Sequence, residues 1–443
     1  MSDADVVVYL QSLKSVRERC ASVYRLAEQQ RLDYWDLDLS KEAEIVDFTC
    51  SLIARDYGKS YGEIPPHGRW RHFNAGGKDR IQPLINLWRD QVSPIEIARR
   101  LIDLFVVSVL LDAGAGPKWK YTEHGETIGI GRSEGLALAS LHLVSSGMLS
   151  GDGTFKVDAD GLSKATVRDI TLAMQVNPDN PMVGIEGRAQ LLVQLGKVLS
   201  NPDNAKYFAN AEGHERSPRP GNMVDYLRRH PRATTVPSPS SLPISVPLEV
   251  LWEIVVKGLG GVWPPSRTRL VGIALGDVWQ CDSLRKTVPT DADALVPFHK
   301  LSQWLNYSLM EIFEVILGWR FTNTSHATGL PEYRNGGLLI DFGLLNMKKE
   351  AVLKSLDIES SANLEPLQFP PLPAAHSAIV EFRAVTVIML DRIAAGINAK
   401  LGVSLTLAQV LESATWKGGR EIAKKKRPDG GPPINVLLDG TVF

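Results

Sequence analysis

The chain has 443 residues, with 49 lysines and arginines against 50 aspartates and glutamates, and an apolar fraction of 44%. Charged residues at 22% and aromatic residues at 7% are ordinary for a globular protein, which excludes wholesale disorder. The net charge of −1 argues against a protein whose main task is to coat a nucleic acid, because that affinity comes from neutralising phosphates.

Cysteine usage and the apolar segments bear on the compartment. Cys20, Cys50 and Cys281 are far apart and odd in number, which predicts reducing surroundings and neither a disulfide framework nor a cysteine-based zinc site. The first ten residues lack a basic region followed by a long apolar one, so we expect no signal peptide. The most apolar stretch, residues 104–111, has eight residues, whereas a membrane span needs about 20. We therefore expect a cytoplasmic protein without membrane contact.

Most of the chain is predicted to be helical. Ser93-Pro94-Ile95-Glu96 combines a capping-box spacing with proline at the first helical position, and the apolar residues after it indicate a buried helix. Gly147 and Gly402 stand where a glycine would end a helix. Helices are predicted over residues 93–111, 134–146, 299–317 and 379–401.

Strand signals are sparse and short, and no strand-helix alternation favours a parallel sheet. Residues 201–247 form the clearest break, because their proline-rich segments predict extended, loop-like backbone. A second proline-rich loop covers residues 368–375. We predict two helical halves, residues 1–230 and 231–443, that pack into one unit with a pocket between them. The basic run 424–427 is predicted to be a solvated patch.

The first group of residues that could form a functional site is a glycine-rich turn, residues 112–121. It is followed by residues 129–135, which begin a helix. Glycines allow close backbone approach, a helix N-terminus presents free N–H groups to an anion, and Arg132 would add a bidentate donor. Alternatively, Ser133 is a plain helix cap and Glu134 favours the helix dipole. The pattern matches neither the P-loop nor the dinucleotide fingerprint.

The second cluster is residues 328–337, Thr-Gly-Leu-Pro-Glu-Tyr-Arg-Asn-Gly-Gly, followed by Asp341. A core segment would not place so many polar residues in succession unless they faced a cleft or satisfied one another. Glu332 beside Arg334 is typical of an oriented base or of a group that stabilises a developing cation. The alternative is a structural Glu332–Arg334 pair that braces a turn.

The third cluster lies on a predicted helix, where His299, Gln303 and either Asn306 or Tyr307 share one face. This polar stripe suits a pocket wall, although a histidine in such a place is often a hydrogen-bonded core residue. The C-terminal residues 439–443 form a turn and an aromatic end, which is usually frayed.

Metal-binding signatures are missing from the sequence. It has no HExxH motif, and its nine histidines are scattered. The closest pair, His67 and His72, does not lie on a single helical face. We expect neither a metal nor another cofactor.

The same clusters carry a family resemblance that runs in order along nearly the whole chain. It rests on the blocks LLDAGAGPKWKY, GRSEGLALASL, NPMVGIEGRAQLL, HKLSQWLNYSL, TGLPEYRNGGLLID, ATWKGGR and DGTVF. These blocks resemble the uracil catabolism protein 4 family of fungi and bacteria. The resemblance implies a pathway in which uracil becomes its ribonucleotide and the ring is opened by an enzyme similar to GTP cyclohydrolase II. A ribosylurea-type compound and finally urea then appear.

A shorter resemblance concerns LPEYRNGGLL and the apolar run with Gly343, which look like a segment of the queuosine salvage proteins. Those are helical nucleoside N-glycosidases related in fold to DNA glycosylases, and their acidic residue at the scissile ribosyl bond matches Glu332. This chain has Glu where they have Asp, and Asn-Gly-Gly where they have a proline-containing turn. The resemblance implies a mainly α, DNA-glycosylase-like fold with a few short strands.

The two resemblances imply hydrolysis of the bond between C1′ and nitrogen in ribosylurea or its 5-phosphate, through an oxocarbenium-like transition state. Glu332 would stabilise the cation and orient water, held by Tyr333 and Arg334. A second acid, Glu123 or Glu134, would protonate the departing urea.

The remaining groups of the predicted pocket would bind the substrate. Arg132, with Lys118 or Lys120, would hold a phosphate, and Trp119 and Trp304 would form walls. The full predicted binding set is Asp112, Trp119, Arg132, Ser133, His299, Gln303, Trp304, Tyr333, Arg334 and Asp341.

Other functions remain open at this point. An amidohydrolase or deaminase would act on the ring-opened pyrimidine nucleotide, although no metal or cysteine nucleophile site is evident. A non-catalytic scaffold would bind a pathway intermediate and pass it on. Nucleic-acid repair would suit a glycosylase-like fold, but the neutral charge opposes it. As partners we expect a small-molecule substrate and other uracil-catabolic enzymes, not nucleic acid.

Overall fold

The structure is a computed structural model that describes residues 2–112, 114–116, 118–210, 217–236, 244–264, 267–359 and 365–437. The C-terminal residues 439–443, two positions of the glycine-rich turn and the middle of the proline-rich run therefore lie outside the described residues.

The described part of the chain is mainly α-helical, which confirms the predicted fold class, while a relation to the DNA glycosylases stays a prediction. Its helices are α1 (Asp3–Leu10), α2 (Leu13–Glu28), α3 (Glu42–Tyr57), α4 (Trp70–Phe73), α5 (Ile81–Arg89), α6 (Pro94–Leu110), α7 (Arg132–Ser145), α8 (Ala159–Lys164), α9 (Val167–Ala173), α10 (Ile185–Leu199), α11 (Ala205–Phe208), α12 (Met223–Arg229), α13 (Leu248–Glu253), α14 (Asp282–Arg285), α15 (Lys300–Leu317), α16 (Asn335–Asp341), α17 (Lys349–Ser355), α18 (Ser377–Leu401), α19 (Leu407–Val410) and α20 (Trp416–Lys426). Two π-helical turns, Ile254–Gly258 and Leu411–Thr415, continue α13 and join α19 to α20.

The strands are short and form small separate sheets. They are β1 (Trp35–Leu37), β2 (Lys120–Tyr121), β3 (Ile130–Gly131), β4 (Thr234–Thr235), β5 (Ile244–Pro247), β6 (Arg269–Leu270), β7 (Ile273–Ala274), β8 (Val278–Gln280), β9 (Leu295–Pro297), β10 (Arg320–Thr322) and β11 (Leu345–Met347). The antiparallel pairs are β1–β11, β2–β3, β6–β7 and β8–β9, and β5 lies between parallel β10 and antiparallel β4.

The four predicted long helices are present as α6, α7, α15 and α18, because their end signals are local. The Ser93 hydroxyl accepts a hydrogen bond from the backbone N–H of Glu96 at 3.3 Å, and Pro94 begins α6. The Glu96 side chain, however, binds the buried Arg219 at 2.9 Å, so it serves a tertiary contact. The glycines that end α7 and α18, Gly147 and Gly402, both have positive φ, as expected.

The predicted break at residues 201–247 is only partly loop-like. Its described residues contain α11 and α12, and α12 buries Met223, Val224 and Leu227. Arg219 is also buried, and its Nε donates to Asp103 on α6 at 2.8 Å. The proline pattern revealed the local backbone preference but not these contacts, which come from residues more than 100 positions away.

Two large hydrophobic cores and a small third one, where α1 packs against β8 and β9, hold the described elements together. The larger core includes α6, α7 and α15, and the second includes α2, α3 and α18. Each core contains residues from both sides of residue 230. No helix in the described part of the chain is long and apolar enough to span a membrane.

Glu381 on α18 is a buried carboxyl that accepts the backbone N–H groups of Asp33 and Tyr34 at 3.0 Å each. Burial raises its pKa to about 7, against the two N–H donors, which lower it. The folded state therefore binds a proton here more tightly than the unfolded chain does. Stability from this group is fully present below about pH 4.5 and is lost as the pH rises through about 7.

A comparison of the native chain with Glu381→Gln tests this pH dependence. Between pH 4.5 and 7 the free energy of unfolding of the native chain should fall by roughly 3 kcal/mol relative to the variant, which cannot ionise. Urea unfolding at several pH values measures the difference. Parallel pH profiles for the two proteins would contradict the prediction.

Candidate active site

A cleft with two neighbouring lobes lies where several helix ends meet. The inner lobe has a volume of about 400 Å³, and the outer lobe has about 810 Å³. Both are lined by His72, Gly116, Arg132, Trp416 and Asp429. The inner lobe is further lined by residues that include His67, Asp112, Ser133, Lys300, Trp304, Glu332, Tyr333 and Arg334. The outer lobe is further lined by residues that include Arg71, Trp119, Lys120, Glu134, Glu412 and Arg420.

Glu332 is buried in the wall of the inner lobe, and its carboxylate is fixed by the backbone that follows it. Its two oxygens accept the N–H groups of Arg334 at 2.7 Å and Asn335 at 2.6 Å. Burial raises the pKa of Glu332 above its ordinary value, although these N–H groups and the nearby Lys300 oppose the rise. Glu332 thus braces the start of α16 and also presents a held carboxyl group to the cavity.

The alternative prediction was a Glu332–Arg334 pair, and the contact between them is the hydrogen bond from the backbone N–H of Arg334 to the Glu332 carboxylate. The guanidinium of Arg334 instead donates to the Gly430 carbonyl at 2.9 Å and lies 5.2 Å from the centre of the Tyr333 ring. Burial raises the pKa of the Tyr333 hydroxyl to about 12. The predicted trio therefore lines one lobe, with each member held by a different contact.

Lys300, the first residue of α15, lines the inner lobe and was missed by the sequence analysis. Its ammonium has no hydrogen-bond or ion-pair partner among the residues that the structure describes. Burial lowers its pKa, and Glu332 offsets part of that effect. The signal was present, because Lys300 precedes the predicted Trp304 by four residues and so shares its helical face.

A buried ion pair sets the positions of Lys300 and Glu332. The guanidinium of Arg383 on α18 binds both carboxylate oxygens of Asp277 at 2.7 Å, and its Nε donates to the Pro331 carbonyl at 3.2 Å. Asp277 in turn accepts the backbone N–H of Lys300 at 3.0 Å. Burial would raise the pKa of Asp277, but Arg383 outweighs it and holds that pKa well below its ordinary value.

Asp112 and Trp304, which line the inner lobe, both contact the buried guanidinium of Arg69. The Arg69 guanidinium donates to the Asp112 carboxylate at 2.8 Å and lies 5.6 Å from the centre of the Trp304 ring. Trp119 is buried in the wall of the outer lobe, where its indole N–H donates to the Met174 carbonyl at 2.9 Å.

The start of α7 brings Arg132, Ser133 and Glu134 to the cleft, as the glycine-rich segment predicted. Arg132 has a φ of +57°, and its guanidinium makes a long contact of 3.4 Å with the Asp429 carbonyl. Glu134 binds Arg420 at 2.7 Å. Burial raises the pKa of Glu134, but Arg420 and the nearby His72 together outweigh it, and the net pKa lies below its ordinary value.

Four predicted site residues lie outside both lobes. The Glu123 carboxylate forms an ion pair with Arg80 and lies 3.3 Å from Nε2 of His142. It is therefore not available as the second acid of the cleft. Asp341 forms a two-point ion pair with Arg427, at 2.6 and 2.7 Å. Arg427 is thus the one member of the basic run 424–427 that is tied to a buried carboxylate, and the other three are exposed.

His299 and Gln303 face the protein interior. His299 caps α15 with positive φ, and its Nε2 lies 2.8 Å from the Leu10 carbonyl. Gln303 is bonded to Thr328, accepting its N–H at 2.7 Å and donating to its hydroxyl at 2.6 Å. The helical spacing was predicted correctly, but the face it defines packs against the rest of the fold.

Two histidines and two tryptophans form an aromatic group along the cleft. The His67 ring centre lies 5.4 Å from that of Trp416 and 6.5 Å from that of Trp304. His72 lies 5.5 Å from Trp304 and 5.9 Å from Trp416, and burial lowers its pKa to about 4. His67 Nδ1 is 2.6 Å from an oxygen of Glu412. Among the described residues no group of three or more potential ligands could hold a metal ion.

Comparisons with known proteins assign the chain to a family. Residues 9–443 match the family described as "Protein of unknown function (DUF1688)". The chain belongs to this family. It is 43% identical to "Uracil catabolism protein 4" of Lachancea kluyveri over 449 residues, which cover 99% of each protein. It is 39% identical, with the same coverage, to "Protein urg3" of Schizosaccharomyces pombe. The predicted family resemblance is confirmed.

Five of the sequence blocks that carried the family resemblance contribute to the cleft. They supply Asp112, Arg132, Lys300, Glu332 and Trp416, which come from widely separated parts of the chain. The block DGTVF lies outside the described residues. The family's most recognisable segments thus meet around one cavity.

Proposed function

We propose that this chain, like the relative named for uracil catabolism, acts in that pathway, and that it is an N-glycoside hydrolase. Its substrate would be ribosylurea or the 5-phosphate of ribosylurea, and its products urea and the sugar. One observation carries the proposal. A buried carboxyl, Glu332, is held by two backbone N–H groups and shares a small cavity with the ammonium of Lys300, which has no partner among the described residues.

The reaction needs a group that stabilises positive charge on the sugar. As the bond from C1′ to nitrogen breaks, its electron pair moves to the nitrogen and the ribose ring gains oxocarbenium character. A negative group in a site that excludes water stabilises such a cation far better than it would in bulk solvent. Glu332 is proposed for this role because its two backbone donors fix its orientation and, with Lys300, favour the ionised form against the effect of burial.

The departing urea nitrogen needs a proton. Of the two acids expected from the sequence, Glu123 lies outside the cleft, and Arg420 keeps Glu134 ionised. Lys300 is the better donor, because burial lowers the pKa of its ammonium and so favours release of the proton. Water adds to C1′ and loses one proton, which balances the proton that the urea nitrogen gains.

The size and the charge of the cleft favour a small polar substrate. An inner lobe of about 400 Å³ lies in the range of small-ligand sites. The planar ureido group would lie against Trp304 and Trp416, and the sugar would lie near Glu332. A duplex nucleic acid would instead require an extended basic face, and the chain has a net charge of −1.

The direct test incubates the purified protein with ribosylurea and with the 5-phosphate, and measures urea and free sugar by mass spectrometry. Turnover of either compound is expected. The absence of turnover for both, in a protein shown to be folded by circular dichroism, would overturn the proposal. Release of ammonia in place of urea would instead indicate a deaminase.

The outer lobe would hold the phosphate if the substrate carries one. Arg132 and Lys120 line this lobe, whereas Lys118 is exposed and lines neither lobe. Arg132→Gln should raise KM for the phosphorylated substrate by about 10- to 100-fold, the value of one charge-assisted hydrogen bond. KM for ribosylurea itself should change little.

Lys118→Gln is the matched control, because it removes a neighbouring positive charge outside the cleft. Both kinetic constants of this variant should stay within about twofold of the native values. An equal effect of Arg132→Gln on the two substrates would contradict a phosphate contact.

A further inference from the structure

A histidine–carboxylate dyad at the cleft has no part in the function argued so far. His67 is buried, its ring lines the inner lobe, and its Nδ1 lies 2.6 Å from Oε2 of Glu412. The backbone N–H of His67 donates to the Ala408 carbonyl, so the histidine is tied to the turn that precedes Glu412. The two residues are 345 positions apart in the chain.

The bond to Glu412 determines which ring nitrogen of His67 is free. Burial raises the pKa of Glu412, but the hydrogen bond to His67 and the nearby His72 and Arg71 together outweigh it, and the net pKa lies below the ordinary value. An ionised carboxylate accepts a hydrogen bond, so Nδ1 must carry the proton. In the neutral ring the unprotonated lone pair is then on Nε2, which has no partner among the described residues.

We propose that His67 is the general base that deprotonates the attacking water and that Glu412 is the residue that positions it. This role rests on the proposed N-glycosidase function. Water gives one proton to His67 Nε2 while its oxygen forms the bond to C1′. The C1′–nitrogen bond breaks, and the nitrogen takes up its proton from Lys300. His67 returns its proton to solvent, and Lys300 is reprotonated.

With this dyad, stabilisation of the cation and activation of the water are performed by separate groups. Glu332 is already occupied by two backbone donors and faces a cation, so a second group for water activation removes the need for one carboxylate to do both tasks. His72 does not compete for the role, because burial and the nearby Arg69 lower its pKa to about 4. An imidazole oriented by a carboxylate is a general base that works near neutral pH.

Two variants test the two roles. His67→Asn keeps an N–H that can donate to Glu412 but removes the basic ring nitrogen. It should lower kcat by about 10²- to 10⁴-fold with KM within about threefold of the native value. Glu412→Gln should lower kcat by at least about tenfold, because it removes the charge that favours the Nδ1–H tautomer.

A matched control exists on the surface. His326 Nδ1 lies 2.7 Å from Glu249, the same type of pair, but it is exposed and lines neither lobe. His326→Asn should leave both kinetic constants unchanged. Circular dichroism and thermal melting of each variant establish that it is folded.

Nitrogen-15 NMR of the unliganded native protein gives a readout that does not require turnover or a variant. The His67 ring should be in the Nδ1–H tautomer at pH 7.5, and Glu412→Gln should increase the Nε2–H form. An Nε2–H tautomer in the native protein would overturn the proposal.

The kinetic outcomes separate this proposal from the one on which it rests. Native turnover with a His67→Asn variant that keeps more than a third of the native kcat would overturn the base role and leave the glycosidase function standing. If the native protein turns over neither substrate, the glycosidase function fails and the base role fails with it.

Discussion

Glu332→Gln is expected to reduce kcat for ribosylurea hydrolysis by at least about 100-fold, because it removes the negative charge that faces the developing cation. Substrate affinity should change much less, since the interaction is strongest in the transition state. Steady-state kinetics with both candidate substrates and calorimetric binding measure the two quantities. A variant with more than a tenth of the native kcat would contradict the proposed role.

The same substitution is also expected to affect stability. Both carboxylate oxygens accept backbone N–H groups, and a glutamine amide can accept only one of them. The unsatisfied donor should cost about 1–3 kcal/mol, which a lowered melting temperature would show. Activity must therefore be measured well below the melting temperature of the variant.

Glu381→Gln provides the matched control for Glu332→Gln. Glu381 is also buried and also accepts two backbone N–H groups, but it lines neither lobe of the cleft. At pH 8, where the ionised Glu381 of the native chain already costs stability, its substitution should not lower the melting temperature and should leave kcat unchanged. Equal losses of activity in the two variants would mean that Glu332 acts through the fold alone.

Arg383→Met is expected to cause the largest loss of stability, about 3–5 kcal/mol, because it leaves the Asp277 carboxylate buried without its partner. Urea unfolding measures the loss. The double variant Arg383→Met/Asp277→Asn should be more stable than Arg383→Met, since the unpaired charge is gone. The loss of this pair should also lower kcat, because it holds both the Pro331 carbonyl and the N–H of Lys300.

The control for Arg383 lies on the same helix. Arg392 forms a similar two-point ion pair with Glu42, at 2.6 and 3.0 Å, but its side chain is 41% exposed. Arg392→Met should cost less than about 1 kcal/mol. A comparable loss from the two substitutions would contradict the argument that burial makes the Arg383 pair important.

The helices could be predicted because their signals lie within a few residues of one another. Ser93 and Pro94 begin α6, and Gly402 ends α18, without reference to the rest of the chain. The contact of Arg219 with Asp103 could not be predicted in this way, since it joins the region assigned to a break with a helix far earlier in the sequence.

In the candidate site, too, the residues with local sequence signals could be predicted and those brought together only by the fold could not. The clusters around Arg132 and Glu332 were evident because polar residues and glycines crowd together there, and both do line the cleft. Lys300 was not predicted as a site residue, whereas its neighbour His299, which was predicted, is a buried cap. His67 and Glu412 give no local signal at all, because only the folded chain brings them together.

The π-helical turn Leu411–Thr415 makes the length of this segment as important as its composition. A single-residue deletion there would restore an ordinary α-helix and rotate everything after it by about 100°. Trp416 and Arg420 would then turn relative to Glu412, with every one of these side chains still present. A relative that differs only by such a deletion would retain the family's recognisable blocks and yet present a different surface to its substrate.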